Sequence, residues 1–105
     1  KNGIVVQSQA DQNHEFLLEM LKCDEGSSKV GEIAIGTNYG IQRFSRNILF
    51  DEKIGGTFHM ALGNAIVESG GQNKSAIHWD MISDLRRGSI KADGQLIYQN
   101  GDFVL

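Results

Sequence analysis

The sequence predicts an α+β domain with one main helix and a mixed, largely antiparallel sheet that ends in a β-meander. Three observations predict this class. A stretch near the N-terminus has apolar residues at helical spacing, short segments with alternating apolar residues follow it, and two hairpin-type turns lie near the C-terminus. A length of 105 residues suits one domain with a modest core, so residues 1–105 are expected to form a single domain.

The first predicted elements are a short strand and the main helix. Ile4-Val5-Val6 has the β-branched composition of a strand. Residues 10–22 then carry apolar side chains on one face of a helix, at Phe16, Leu17, Met20 and Leu21. This spacing predicts one amphipathic helix over residues 10–22.

The rest of the chain is predicted to consist mainly of strands. Apolar alternation predicts strands at residues 30–36, around His59, and over residues 75–84. Asp93-Gly94 and Asn100-Gly101 are both flanked by short apolar runs, which is typical of hairpin turns. The C-terminal part of the chain is therefore predicted to form the meander.

Composition and charge exclude several classes of function. The formal net charge is −3 with no basic stripe, so nucleic acid is not an expected partner. No apolar run approaches the roughly 20 residues of a membrane span, so no membrane association is expected. Cys23 is the single cysteine and cannot form an internal disulfide, which favours a reducing, cytoplasmic compartment.

An imidazole and a carboxylate interrupt the apolar segment SAIHWDMISD. In a strand, His78 and Asp80 point to one face and Trp79 to the other. Burying such polar groups without partners costs several kcal/mol, so hydrogen bonds, solvent in a cleft or a metal ion should compensate them. A hydrogen-bonded structural pair and a metal site are both consistent with this pattern.

Three further places carry polar residues beside apolar runs. Glu32 interrupts VGEIAIG, Asp51 and Glu52 follow NILF, and His59 lies within TFHMALG. Imidazole and carboxylate groups are ligands for Zn²⁺, Mn²⁺ or Co²⁺. Each residue also has an ordinary interpretation: Glu32 as an exposed strand residue, Asp51 as a cap or turn residue, and His59 as a hydrogen-bonded histidine. Spacing alone does not decide between them.

The order of these motifs adds information beyond each one alone. The succession GEIAIGTN, NILFDEKIGGTFHMALG and NKSAIHWDMISDLR, closed by a DG hairpin, resembles the C-terminal part of the thermophilic aminopeptidase family, which includes aminopeptidases T and S. The similarity extends over nearly the whole chain. It implies a metal-dependent exopeptidase that uses two divalent ions (Zn, Co or Mn) to remove N-terminal residues from peptide substrates.

The resemblance also assigns roles to individual residues. Glu32 is similar to the family's bridging carboxylate, and Glu52 to a terminal ligand of one ion. His59 and His78 resemble the imidazole ligands, and Asp80 a further carboxylate ligand. Asn73 and Ser75 precede His78 closely and are expected to orient it by hydrogen bonds. No catalytic residue other than these ligands is assigned.

The resemblance implies that this chain is a fragment of a longer protein. Family chains are several-fold longer, and their site also uses a glutamate from an upstream part that is absent here. Ile66 stands where the family members have a tyrosine. We therefore expect a C-terminal catalytic-domain fragment of a metallo-aminopeptidase, inactive when isolated and homodimeric in the full-length protein. The alternative is a non-catalytic metal-binding or assembly domain with the same fold.

Overall fold

The computed structural model describes residues 1–104, and within them the chain forms helices and strands in the following order. The helices are α1 (His14–Leu21) and α2 (Ile48–Asp51), with a 3-10 turn at Val67–Ser69. The strands are β1 (Val30–Ile35), β2 (Thr57–Gly63), β3 (His78–Asp84), β4 (Ser89–Ala92), β5 (Gln95–Gln99) and β6 (Asp102–Phe103). They form two three-stranded sheets, with the orders β1-β2-β3 and β4-β5-β6. The α+β class is confirmed.

The chain divides into two compact units. The first unit contains Lys1–Ile33 and Met60–Asp80, and the second contains Ala34–His59 and the described residues from Met81 onward. Among residues 1–104, no helix has the length and apolar character needed to cross a membrane.

Helix α1 packs against the first sheet within the first unit. The rings of Phe16 and Trp79 meet edge to face, with their centroids 5.8 Å apart and their planes at 76°. Trp79 lies on β3, so the helical spacing of the sequence directs α1 onto that strand. The helix ends at Leu21, whose carbonyl accepts a hydrogen bond from the buried Ser27 hydroxyl at 2.9 Å.

Strand pairing in the first unit is antiparallel. The N–H of Gly63, at the end of β2, donates to the carbonyl of Lys29, just before β1, at 2.8 Å. On the other side, the N–H of Asn64 donates to the carbonyl of Ile77, just before β3, at 2.6 Å. In both pairs the end of one strand meets the start of the other, which is the antiparallel arrangement. The buried residues Ala61, Leu62 and Ala65 form the core here.

The second unit contains the meander that the sequence predicts. Strand β4 pairs antiparallel with β5, and β5 with β6. The connections are Asp93-Gly94 and Asn100-Gly101, and all four residues have positive φ, between 50° and 91°. Positive φ at both central residues is the requirement of the tight hairpin turn for which these residue pairs are favoured. Tyr98 on β5 is fully buried and packs edge to face on Phe103.

Helix α2 and Asp51 close the loop that precedes β2. The side chain of Asn47 caps the helix by accepting from the Leu49 N–H at 3.1 Å. Asp51 is buried, and its carboxylate accepts from the Ser45 N–H at 2.7 Å, the Ser45 hydroxyl at 2.8 Å and the Arg46 N–H at 2.9 Å. The turn role predicted for Asp51 agrees with these contacts.

Several predicted boundaries and elements were wrong. Ile4-Val5-Val6 is not a strand, because Ile4 makes only an isolated bridge to Lys29. The helix begins at His14 rather than residue 10, since Asn13 before it adopts a left-handed conformation with φ 55°. Strand β3 begins at His78 rather than residue 75.

The predicted sheet arrangement also differs from the structure. Within residues 1–104 the structure contains two α-helices, the predicted α1 and the short α2. The meander strands β4, β5 and β6 form a sheet of their own, whereas the sequence predicted one mixed sheet that ends in the meander. The parallel pairing that we find in the described residues is an isolated bridge between Asn38 and Ile54.

We expect Asp51→Asn to lower the melting temperature by several degrees at neutral pH. Burial raises the pKa of Asp51, but the hydrogen bonds from Ser45 and Arg46 outweigh it and hold that pKa below its ordinary value. A carboxylate with a lowered folded-state pKa stabilises above its unfolded pKa, and this stabilisation is lost as the pH falls through the folded value. The difference between wild type and variant should therefore shrink in acid. Thermal unfolding at several pH values tests this prediction, with Asp11→Asn, at an exposed position, as the control. An equal fall in melting temperature for the two variants would contradict it.

Candidate metal centre

His78 and Asp80 lie together at the start of β3, as strand alternation predicts. The Nε2 atom of His78 is 3.5 Å from Oδ1 of Asp80. Trp79, between them in sequence, instead contacts α1 through Phe16. The polar face of β3 therefore carries an imidazole next to a carboxylate, and its other face contributes to packing.

A second carboxylate reaches the same imidazole from β1. Oε2 of Glu32 is 3.2 Å from Nε2 of His78. Carboxylate oxygens of Glu32 and Asp80 also lie within 4.8 Å of each other. The exposed fractions of the side chains are 20% for Glu32, 18% for Asp80 and 34% for His78, so the cluster is partly open to solvent. The first unit therefore brings together three of the five predicted ligands.

The imidazole of His78 has a defined orientation. Its Nδ1 atom lies 2.7 Å from the backbone carbonyl oxygen of Asn64. A carbonyl oxygen only accepts hydrogen bonds, so Nδ1 must carry the proton. In the neutral ring Nε2 then has a lone pair directed at the two carboxylates. Such an arrangement needs a positive charge between its members, either a proton on Nε2 or a bound cation.

The electrostatics of His78 agree with this geometry. The hydrogen bond to the Asn64 carbonyl raises the pKa of His78, as do the charges of Asp80 and Glu32, and partial burial opposes them. The pKa therefore lies above its ordinary value, and the ring attracts a proton more strongly than a free histidine does. The same negative field attracts a divalent cation, which competes with that proton for Nε2.

The residues of the first unit fit a divalent metal ion. Oδ1 of Asp80 is buried and accepts no hydrogen bond from the described residues, although the His78 ring lies nearby. A buried carboxylate oxygen without a donor is costly unless a cation satisfies it. Two carboxylates and one imidazole form a nitrogen and oxygen ligand set that suits Zn²⁺, Mn²⁺ or Co²⁺.

Asn73 and Ser75 do not make the contacts with His78 that the sequence suggested. The Asn73 amide donates to the carbonyls of Gly26 and Gly63, at 2.9 and 2.6 Å. The Ser75 hydroxyl donates to the Asp24 carboxylate at 2.9 and 3.0 Å. The Asn73 side chain therefore bonds to the end of β2 and to the turn after α1, and the Ser75 side chain to Asp24, whereas the Asn64 carbonyl contacts His78.

Glu52 and His59 belong to the second unit. Glu52 follows α2, and its side chain is 16% exposed and forms an ion pair with Lys53 at 2.5 Å. His59 lies on β2 and is buried, with 7% of its surface exposed. Both are polar groups at sheltered positions, and their roles as ligands stay predictions.

Sequence reasoning missed one residue that contacts His78, Asn64, and one that contacts the loop before it, Asp24. Asn64 acts through its backbone, which no side-chain pattern can reveal. Asp24 accepts hydrogen bonds from the loop just before β3 and from Gly26. The run Asp24-Glu25-Gly26 carries the signal of a turn closed by an aspartate side chain, and this signal could have been used.

Three protein ligands of the carboxylate and imidazole types are typical of catalytic metal sites, which keep one coordination position open. Comparison with known families agrees with this class. The profile of the family described as thermophilic metalloprotease (M29) matches residues 1–103. The chain belongs to this family, and the resemblance noted in its motifs is confirmed.

Individual relatives extend the comparison. Aminopeptidase 2 of Geobacillus stearothermophilus is 30% identical over 127 aligned residues, which cover 99% of this chain and 30% of the relative. Aminopeptidase AmpS of Bacillus subtilis (strain 168) is 30% identical over 126, with the same coverage. The solved structure of wild-type AmpT from Thermus thermophilus has the same fold, with a TM-score of 0.77 at 24% identity over 98% of this chain. The chain spans about 30% of the length of these relatives.

Proposed function

We propose that this chain supplies the metal-binding part of a metal-dependent aminopeptidase that releases N-terminal residues from peptides. The observation that carries the proposal is the His78 ring, whose Nε2 faces Glu32 at 3.2 Å and Asp80 at 3.5 Å. Membership of the metalloprotease family supports hydrolytic chemistry, and the names of the two curated relatives support aminopeptidase specificity.

The proposed site holds two divalent ions of zinc, cobalt or manganese. By the family resemblance the residues that would hold these ions are Glu32, Glu52, His59, His78 and Asp80, with the bridging role assigned to Glu32. The burial of His59 and the low exposure of Glu52 support their inclusion, because ligands are usually sheltered from solvent. The parent protein is proposed to be a cytoplasmic homodimer.

The chemistry follows from what each group can do. When bound, divalent ions polarise a peptide carbonyl and lower the pKa of water. The Nδ1–H of His78 donates a hydrogen bond to the Asn64 carbonyl, and the ring therefore offers Nε2 as a ligand in a fixed direction. Glu32 and Asp80 would balance the charge of the cations, and the partial burial of both carboxylates would strengthen that attraction.

The test is peptide hydrolysis by the full-length protein. We expect turnover of an N-terminally free peptide, its loss on chelation, and its recovery on adding Co²⁺, Mn²⁺ or Zn²⁺. Glu32→Gln should lower kcat by at least about 100-fold because one ligand to the ions is weakened. Glu19→Gln, an exposed change on α1, is the matched control. Turnover that survives chelation, or an unaffected Glu32→Gln variant, would contradict the proposal.

The second candidate is a non-catalytic domain that keeps the fold and binds one ion or none. Ile66 favours it, because the resemblance places a tyrosine at that position and a hydrocarbon side chain cannot donate a hydrogen bond. The count of bound metal in the full-length protein separates the two: an aminopeptidase of this type needs two ions per chain.

A further inference from the structure

The carboxylate of Asp24 is the centre of a hydrogen-bond network before β3. It accepts from the Ala76 N–H at 2.6 Å, the Gly26 N–H at 2.9 Å and the Ser75 hydroxyl at 2.9 and 3.0 Å. The Ala76 N–H, together with the other donors, holds the pKa of Asp24 below its ordinary value, so the group is ionised at neutral pH. Hydrogen bonds to an ionised acceptor are the stronger kind.

Asp24 is itself held in place at the end of α1. Its N–H donates to the Ser27 hydroxyl at 3.2 Å, and that hydroxyl contacts the carbonyls of Asp24 and Leu21 at 2.7 and 2.9 Å. Ser27 is fully buried. Gly26 is also tightly enclosed, because a Cβ there would lie 1.9 Å from the Lys74 carbonyl oxygen. A rigid turn therefore presents the carboxylate to the loop.

The held loop leads directly to His78. Ile77 follows Ala76, and its carbonyl accepts from the Asn64 N–H at 2.6 Å. The carbonyl of the same Asn64 is the partner of His78 Nδ1 at 2.7 Å. The backbone of Asn64 thus contacts two consecutive residues, Ile77 and His78. Both contacts depend on the position of residues 75 and 76, which come directly before them.

We propose that Asp24 is a positioning residue that sets the tautomer and direction of the His78 ring by fixing the Ser75-Ala76 segment. Its relevance to metal binding rests on the proposed function, whereas its effect on the ring does not. Outer residues that orient a metal-binding histidine typically contribute about 10- to 100-fold to metal affinity.

The experiment compares Asp24→Asn with Asp84→Asn in this chain. The asparagine side chain in the first variant would keep one acceptor oxygen and place an amide donor where Asp24 accepts hydrogen bonds. Asp84 is at the other end of β3 and also accepts hydrogen bonds, from Arg86. Asp84→Asn therefore controls for the general effect of replacing a hydrogen-bonded aspartate. Long-range ¹H–¹⁵N spectra of the metal-free protein, recorded at a pH high enough for the His78 ring to be neutral, report its tautomer, and titration with Co²⁺ alone reports metal affinity.

We expect Asp24→Asn to reduce the population with Nδ1 protonated and hydrogen-bonded, and to weaken Co²⁺ binding by about 10- to 100-fold. Asp84→Asn should change neither. An unchanged His78 tautomer in a folded Asp24→Asn protein would overturn the proposal. If wild type binds no Co²⁺, the proposed function fails, but the tautomer comparison still decides the role of Asp24.

A milder variant covers the case in which Asp24→Asn does not fold. Ser75→Ala removes the hydroxyl that donates to Asp24 and accepts from the Ile77 N–H at 3.2 Å, and it leaves the carboxylate in place. It should shift the His78 tautomer in the same direction by a smaller amount. A folded Ser75→Ala protein with wild-type spectra would then overturn the proposal.

Discussion

His78→Ala is expected to weaken binding of a divalent ion by more than about 100-fold, because it removes a ligand rather than a supporting group. The ring contributes the nitrogen that faces both carboxylates. Without it, Glu32 and Asp80 are two like charges with oxygens within 4.8 Å, and they lose the ring nitrogen that lies 3.2 and 3.5 Å from them. Isothermal titration with Zn²⁺ or Co²⁺ measures the change.

His14→Ala is the matched control for this loss. His14 is the exposed first residue of α1, and its Nδ1 accepts from the Ala10 N–H at 3.3 Å. We expect its removal to leave metal affinity within about 2-fold of wild type, since the His14 ring is exposed and its Nδ1 already accepts a hydrogen bond from a backbone N–H. Equal losses in the two variants would mean that the metal binds nonspecifically to surface histidines.

Gly63→Ala is expected to destabilise the fold by about 3 kcal/mol, combining backbone strain with overpacking. Gly63 has φ +97°, a conformation that side chains disfavour, and a Cβ there would lie 2.2 Å from the Ile77 carbonyl oxygen. That oxygen accepts the Asn64 N–H, so its displacement would also move the start of β3. The variant should lose both stability and metal affinity, as urea unfolding and Co²⁺ titration would show.

Gly70→Ala separates the two contributions. Gly70 has φ +83°, but a Cβ there would meet nothing within 4 Å. Only the backbone strain remains, which is about 1 kcal/mol, and metal affinity should be unchanged. If Gly63→Ala lowered stability and metal affinity no more than Gly70→Ala, the close approach of β2 to Ile77 would not be required for the site.

The local elements were the most accessible to prediction. The two Asx-Gly pairs determine the meander turns through a backbone conformation that few other residue pairs adopt. Helix α2 was missed because four residues carry no periodicity, although Asn47 provides a capping signal. Ile4-Val5-Val6 has strand composition, but strand formation depends on a partner along its length, and within residues 1–104 this segment has the single bridge from Ile4 to Lys29.

The candidate site was predictable only where it is local. Alternation along one strand places His78 beside Asp80, and this needs no knowledge of the fold. The approach of Glu32 depends on how strands distant in sequence are ordered in the sheet, so only the family resemblance could indicate it. The support given by Asn64 acts through a backbone carbonyl, and Asp24 bonds to Ala76, which lies 52 residues further along the chain.

Anomalous X-ray scattering at the zinc and manganese edges, from crystals of this chain soaked in each metal, tests the metal-centre assignment most directly. We expect a peak bonded to His78 Nε2 and to carboxylate oxygens of Glu32 and Asp80, with the His78 Nδ1 atom still on the Asn64 carbonyl. Soaks of both metals that leave no peak among these three side chains, in crystals where the side chains are ordered, would contradict it.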